Sequence, residues 1–339
     1  MEESTLWLET DYFEKFRCKG GACRNSCCEG WRISVSMNEY FRLIGLDCSE
    51  KLHRRLEGAF VAPEYPTPEK FRQIAPNWLG KCPMHDENGL CMLHSECGED
   101  ALPEICRVYP RSLKKEGALN QACCSSSCEA VIEILFDESQ LHFCLAQLPL
   151  RPEYAEDRPA DMMKICAQCM WALQDRDVSL GERIRNICAL LGCEGEFSGD
   201  DAAALHTVIE IMKAVAEESP GIRRFGTAAM EKYGDDIAAY RADIARFEQN
   251  FPRWERWFEN VLANHLLYCD FPFTDDRINT RQASSGLCLL YALMRVMCAP
   301  CNHRDDVVDA ISGIFRLAEH SSYYFNARLL GDAAGLTAL

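Results

Sequence analysis

The chain's capacity for chemistry is concentrated in its cysteines. Cys18, Cys23, Cys27 and Cys28 fall within eleven residues and run directly into Glu29-Gly30-Trp31. Thiolates are soft, anionic donors suited to zinc and to iron–sulfur clusters. A glycine-rich loop, here Gly20-Gly21, can turn several of them toward one point. Cys27 and Cys28 leave adjacent positions in different directions, so both reach one centre only if the backbone bends sharply. The alternative, small hydrophobic residues filling a core, would need cysteine four times in a short polar loop.

A second group is Cys82-Pro83-Met84-His85-Asp86-Glu87-Asn88-Gly89-Leu90-Cys91. Asn-Gly signals a tight hairpin. With Asn88 and Gly89 at its tip, Cys91 falls opposite Asp86. Cys82 then lies about 13 Å from Cys91, at roughly 3.3 Å per residue, so shared ligation requires Pro83 to curl the strand. The third group is Cys106-Arg107-Val108-Tyr109-Pro110-Arg111. Pro103 is suited to open a short helix and Pro110 to end it. Arg107 and Arg111 beside Cys106 could offset the negative charge of a cluster or grip a carboxylate with two prongs, or pair on the surface with Glu99, Asp100 or Glu104. Cys123-Cys124 and Cys128 follow. Eight cysteines stand as candidate ligands, namely Cys18, Cys23, Cys27, Cys28, Cys82, Cys91, Cys106 and Cys128. They could serve one four-iron cluster with spares, or two metal sites. Cys166-x2-Cys169 and Cys298-x2-Cys301 are weaker pairs: on a helix each puts both sulfurs on one face, as a composite zinc site would need, but buried core is the stronger reading.

The elements that must position these residues divide by composition. Of 21 cysteines in 339 residues, twelve lie between Cys18 and Cys128. The proline-rich stretch Leu148-Pro149-Leu150-Arg151-Pro152 marks a boundary, giving a cysteine-rich metal- or cluster-binding domain over 1–150 and a helical domain over 151–339. In the latter, Leu205, Val208, Ile209, Met212 and Val215 recur at helical spacing. So do Ile237, Tyr240, Ile244 and Phe247, then Trp254, Trp257, Phe258, Val261, Leu262 and His265. Further helices are expected from Leu287 to Met297 and from Val307 to Phe315. The first half is less regular, with a short strand at Ile33-Ser34-Val35-Ser36. The fold class expected is mainly α, an irregular cysteine-rich metal-binding N-terminal half packed on an irregular helical bundle.

The formal net charge of −16 argues against nucleic acid, because phosphate binding needs clustered Lys and Arg. No run of about 18 apolar residues suggests a membrane span. The first residues lack the basic and apolar regions of a signal peptide, so a cytoplasmic location is expected. In reducing cytosol, clustered thiols point to metal or redox chemistry before disulfides. Neither a dinucleotide-binding glycine motif nor a P-loop is present, and Cys23-x3-Cys27 does not continue into the C-x3-C-x2-C motif of radical enzymes, since residue 30 is Gly30.

Taken in order, the segments from Cys18 to Trp31, from Cys82 to Cys91 and from Cys106 to Arg111 resemble the flagellin lysine-N-methylase family, related to the CxxCxxCC zinc- or iron-chelating group. The resemblance continues in Glu259-Asn260-Val261-Leu262-Ala263-Asn264 ahead of Phe271-Pro272-Phe273. It departs from the family pattern at Val261, where the family has tyrosine, and at Ser127-Cys128-Glu129-Ala130, which lacks a proline. The resemblance implies methyl transfer from S-adenosylmethionine to lysine amines of flagellin or another lysine-bearing protein, with a 4Fe-4S cluster, or zinc, held by the cysteines. It also implies cofactor-binding candidates: Arg107, Tyr109 and Arg111 beside the cluster, and Asn260 and Asn264 on one helical face. Two other readings fit the cysteines, a metal-chelating or redox module with a helical interaction domain, and a purely structural zinc module.

Overall fold

The computed structural model describes residues 5–116, 119–148, 160–193, 200–234, 236–331 and 333–339. In chain order the elements are β1 (Thr5–Thr10), β2 (Ile33–Val35), α1 (Met37–Ile44), α2 (Glu50–Ala59), β3 (Phe60–Val61), β4 (Arg72–Ile74), α3 (Met92–Cys97), α4 (Glu104–Val108), β5 (Arg111–Glu116), β6 (Leu119–Cys124), α5 (Glu129–Asp137) and β7 (Phe143–Leu148). Helices follow: α6 (Ala160–Leu173), α7 (Leu180–Leu190), α8 (Asp201–Ala216), α9 (Pro220–Tyr233), α10 (Ile237–Asn250), α11 (Trp254–Tyr268), α12 (Thr280–Cys298), α13 (Arg304–His320) and α14 (Tyr323–Ala327). The protein is mainly helical, as its apolar periodicity predicts.

The chain forms two compact units, 17–109 and a larger one that joins 1–16 to 110–339. The larger unit is assembled from two separate stretches of chain. The cause is strand pairing: β1 runs parallel to β6 and antiparallel to β7, in a sheet of order β5-β6-β1-β7. The N-terminal strand thereby belongs to the helical body.

In the larger unit α12 is the central helix. Every residue from Ala283 to Cys298 is buried, and α7, α8, α9, α10, α13 and α14 pack around it. Its start is fixed by a capping box between Asn279 and Gln282, which satisfies otherwise orphaned amides. Helices α9 and α13 cross at Gly221 and Gly313. A Cβ on Gly221 would stand 2.6 Å from the Gly313 carbonyl oxygen, so only glycine permits that approach.

The smaller unit has its own core of Val35, Leu43, Leu52, Leu56, Ile74, Met84, Met92 and Leu93, beneath a sheet of order β2-β4-β3. Ser36 caps α1 in a box with Glu39. The second oxygen of Glu39 accepts the Glu104 amide at 2.8 Å, tying α1 to the start of α4. Burial opposes ionisation of Glu39, but the amides of Glu104 and Ser36 outweigh it and hold the carboxyl below its usual range.

Candidate functional site

The cysteine groups distant in sequence meet inside the smaller unit. The Cys82 amide donates to the Cys28 carbonyl at 2.7 Å, and Gly30 to Gly80 at 2.9 Å, so the first loop is laced to the segment that opens the second. The hairpin differs by one residue from the ideal form. Asp86 pairs with Leu90, and His85 stands opposite Cys91. The Asp86 carboxylate accepts the amides of Asn88 and Leu90, both at 2.8 Å, which enlarges the turn to three residues and places Gly89 at φ 76°. The strand does curl after Cys82: His85 donates back to the Cys82 carbonyl at 3.0 Å. Arg55 from α2 fastens this curl through the carbonyls of Pro83 and His85, at 2.9 and 3.1 Å.

Cys28, Cys82, Cys91 and Cys106 lie within electrostatic reach of one another. Desolvation pushes the Cys82 thiol up to about 12, opposed by the amides of Met84 and His85 and reinforced by Cys28 and Cys91. Cys91 is raised by burial and by Cys28, against the amides of His94 and Leu93. The same local arrangement occurs twice, since the amides two and three residues after each cysteine favour its thiolate. The signal in sequence is the paired Cys-x-x-His of Cys82-Pro83-Met84-His85 and Cys91-Met92-Leu93-His94. Cys106, on a residue open to solvent at its outer side, has a sulfur hemmed in by protein atoms. Burial raises it well above the ordinary range, and Cys82, Cys28 and Cys91 add to the shift. His85 carries a buried Nε2 with no hydrogen-bond partner.

The other candidates fall in both units. Cys18, Cys23 and Cys27 lie on the loop that leads into Cys28; Cys18 accepts the Gly20 amide at 3.4 Å, and the Cys27 carbonyl accepts the Trp31 indole at 2.7 Å. Tyr109 packs edge-on against Trp31, ring centroids 5.9 Å apart, and Arg107 is in the last turn of α4. Cys128 and Arg111 belong to the larger unit. Cys128 begins α5 near Cys124, and Arg111 lies 5.1 Å over the Phe16 ring and donates to the Phe16 carbonyl at 3.2 Å. Among the described residues no group of three or more His, Cys, Asp or Glu is set in metal-holding geometry.

Asn260 and Asn264 are fully buried and occupied by protein partners. Asn260 donates to the carbonyls of Leu135 and Glu138 at 2.9 and 3.0 Å and accepts the Leu141 amide at 3.1 Å, closing the end of α5. Asn264 bonds the Cys124 carbonyl, Ser126 and the Tyr12 hydroxyl, the last at 2.6 Å. Both asparagines thus join elements rather than line an opening. The next residue, His265, pairs with Glu319 at 3.0 Å with no side-chain exposure, and Tyr324 contacts the other ring nitrogen at 3.0 Å. Burial alone would lower the His265 pKa, but Cys269 and the Glu319 carboxylate prevail and raise it to about 10.

The larger unit also carries an apolar groove of about 270 Å³, walled by Phe143, Met163, Met170, Trp171 and Phe271, with Asp270 in its lining. Asp270 follows α11 in the left-handed region, at φ 57°, which an aspartate tolerates. Its carboxylate accepts Lys114 at 2.9 Å. Burial disfavours the Lys114 ammonium, yet Asp270 more than compensates and raises its pKa.

The helical region from α8 onward is where the chain resembles known proteins. Residues 194–331 match the model of the FliB lysine N-methylase C-terminal domain. A stretch of 113 residues, 33% of this chain, is 28% identical to Lysine-N-methylase of Salmonella typhimurium strain LT2 and 28% identical to Lysine-N-methylase of Salmonella choleraesuis strain SC-B67. It is 27% identical to the Flagellar biosynthetic protein FliU of Salmonella muenchen. The aligned stretch spans 27% of each lysine-N-methylase and 65% of FliU. No solved structure matches the chain. The likeness to the FliB lysine N-methylase C-terminal domain thus covers residues 194–331, less than half of the chain.

Proposed function

We propose that the protein is a lysine N-methyltransferase that uses S-adenosylmethionine to methylate flagellin. The observation that carries this reading is the FliB C-terminal domain over residues 194–331. The thiols of the smaller unit suit the implied metal group. Four soft donors lie within electrostatic reach of one another, two of them have amides placed to favour their thiolates, and the buried Nε2 of His85, opposite Cys91 in the hairpin, has no hydrogen-bond partner. In this reading Cys28, Cys82, Cys91 and Cys106 hold the 4Fe-4S cluster or zinc, with His85 next to it. Cys18, Cys23 and Cys27 are further donors on the adjoining loop. When bound, the metal supplies a Lewis-acidic centre that offsets the mutual repulsion of the thiolates. Arg107 and Tyr109 are the donor-binding candidates of the same unit.

The groove beside Asp270 suits the other reactant. Its apolar walls match the four-carbon stem of a lysine, and the Lys114–Asp270 pair forms a polar end without net charge. A lysine amine attacks a methyl group only after losing its proton. Desolvation by the apolar walls favours the neutral amine. The test is a Trp171→Ala variant, at a side chain 71% exposed. The reading expects a raised KM for flagellin with an unchanged Tm, and an unchanged KM contradicts the groove assignment.

A further inference from the structure

Four arginines, Arg176, Arg183, Arg253 and Arg256, line one cleft of about 490 Å³ together with Glu255 and Glu259. In a chain of net charge −16 this local excess of positive charge is out of character with the rest of the molecule. The carboxylates do not absorb it. Glu259, 1% exposed, is taken by Arg176, through contacts at 2.6 to 3.1 Å, and by Arg183 at 2.6 Å. Glu255 accepts the Leu180 amide at 3.3 Å and lies 3.9 Å from Arg183.

Arg253 and Arg256 are left with carbonyl partners. Arg253 donates to Phe136 at 3.4 Å, and Arg256 donates to Ser139. A guanidinium carries five N–H donors in a planar fork, so most of theirs remain available in the cleft. Arg256 registers the crowding: burial first, then Arg176, Arg183 and Arg253, lower its pKa against the pull of Glu259. The cleft also lies at the start of α11, where Arg253 occupies the cap position without a side-chain cap bond. The positive end of a 15-residue helix therefore adds to the same field.

We propose that this cleft binds a phosphate-type oxyanion carried by a small molecule, held by the forks of Arg253 and Arg256. Its volume is that of a small-ligand site, and paired guanidinium forks match phosphate oxygens. Arg176 and Arg183 are fixed by Glu259 and form the rigid floor. The site makes no use of the cysteines or of the groove at Asp270, so it stands apart from the methylation reading.

The experiment is calorimetric titration of the full chain with inorganic phosphate and with pyrophosphate, against sodium chloride at matched ionic strength. Wild-type protein is expected to bind at least one of the two saturably and to gain about 2 °C or more in Tm when saturated. The double variant Arg253→Gln/Arg256→Gln should lose about tenfold or more in affinity, equivalent to about 1.4 kcal/mol or more. If that variant does not fold, Arg253→Gln alone, at an exposed residue, should still weaken binding several-fold. Absence of saturable binding beyond the chloride control, or undiminished binding by the folded variants, would overturn the proposal.

Discussion

Gly21 lies against Asn88 so closely that a Cβ on Gly21 would stand 2.7 Å from the Asn88 carbonyl oxygen. The contact brings the loop that carries Cys18 to Cys28 onto the tip of the hairpin that joins Cys82 to Cys91. Gly21→Ala should therefore push the two apart. Because backbone must move rather than a flexible side chain, the expected cost is about 1–3 kcal/mol, read as a lower urea midpoint for the smaller unit. An unchanged midpoint would show that the loop is not held by this approach.

How much of this was legible in sequence depends on the range of the interaction. Helices α8, α10, α11, α12 and α13 follow from apolar spacing because the cause of each lies within a few turns. Gly20-Gly21 and Asn88-Gly89 were readable as turns, yet nothing local says that they touch. The four-stranded sheet was not readable, since β1 finds its partners more than a hundred residues away in β6 and β7. The hairpin register was displaced by one because the Asp86 side chain, not Asn-Gly alone, organises the turn. Asn260 and Asn264 were correctly seen to share a face, but their partners, at Leu135, Glu138, Cys124 and Tyr12, come from other elements and could not be inferred.

The thiol assignment makes a specific claim about metal. Cys82→Ser and Cys106→Ser should each lower bound iron or zinc, measured by elemental analysis of anaerobically purified protein, and destabilise the smaller unit while leaving most of the helical circular dichroism. Cys128→Ser, in the other unit, should leave the metal content unchanged if one centre is built from Cys28, Cys82, Cys91 and Cys106. Full occupancy in both Cys82 and Cys106 variants would remove them as ligands.

The His265–Glu319 pair should be felt as stability. Removing the imidazole leaves a buried carboxylate without its cation, so His265→Ala is expected to cost about 3–5 kcal/mol. The pH dependence has a definite sign. Folding raises the His265 pKa from 6.5 to about 10, so the folded state holds the proton more tightly. The stabilisation is complete below about 6.5 and is lost as pH rises through about 10. Denaturant midpoints measured across that window should fall with pH in wild type and fall less in His265→Ala. Parallel profiles would mean that the pair is not charged.

The crossing of α9 and α13 offers a test of the helical body alone. Gly221→Ala drives a methyl group into the Gly313 backbone, at contacts of 2.6 to 3.0 Å. The substitution should destabilise by about 1–3 kcal/mol without altering metal content, a separation that elemental analysis and thermal unfolding together can read.

The central claim is methyl transfer to lysine. Purified anaerobically and reconstituted with iron and sulfide or with zinc, the protein should be incubated with flagellin and S-adenosylmethionine labelled in the transferred methyl group, and the flagellin digested for mass spectrometry. The account predicts labelled mono- or dimethyl-lysine in the flagellin peptides, abolished by Cys106→Ser and reduced by Trp171→Ala. Metal-replete wild-type protein that leaves every flagellin lysine unlabelled would contradict it.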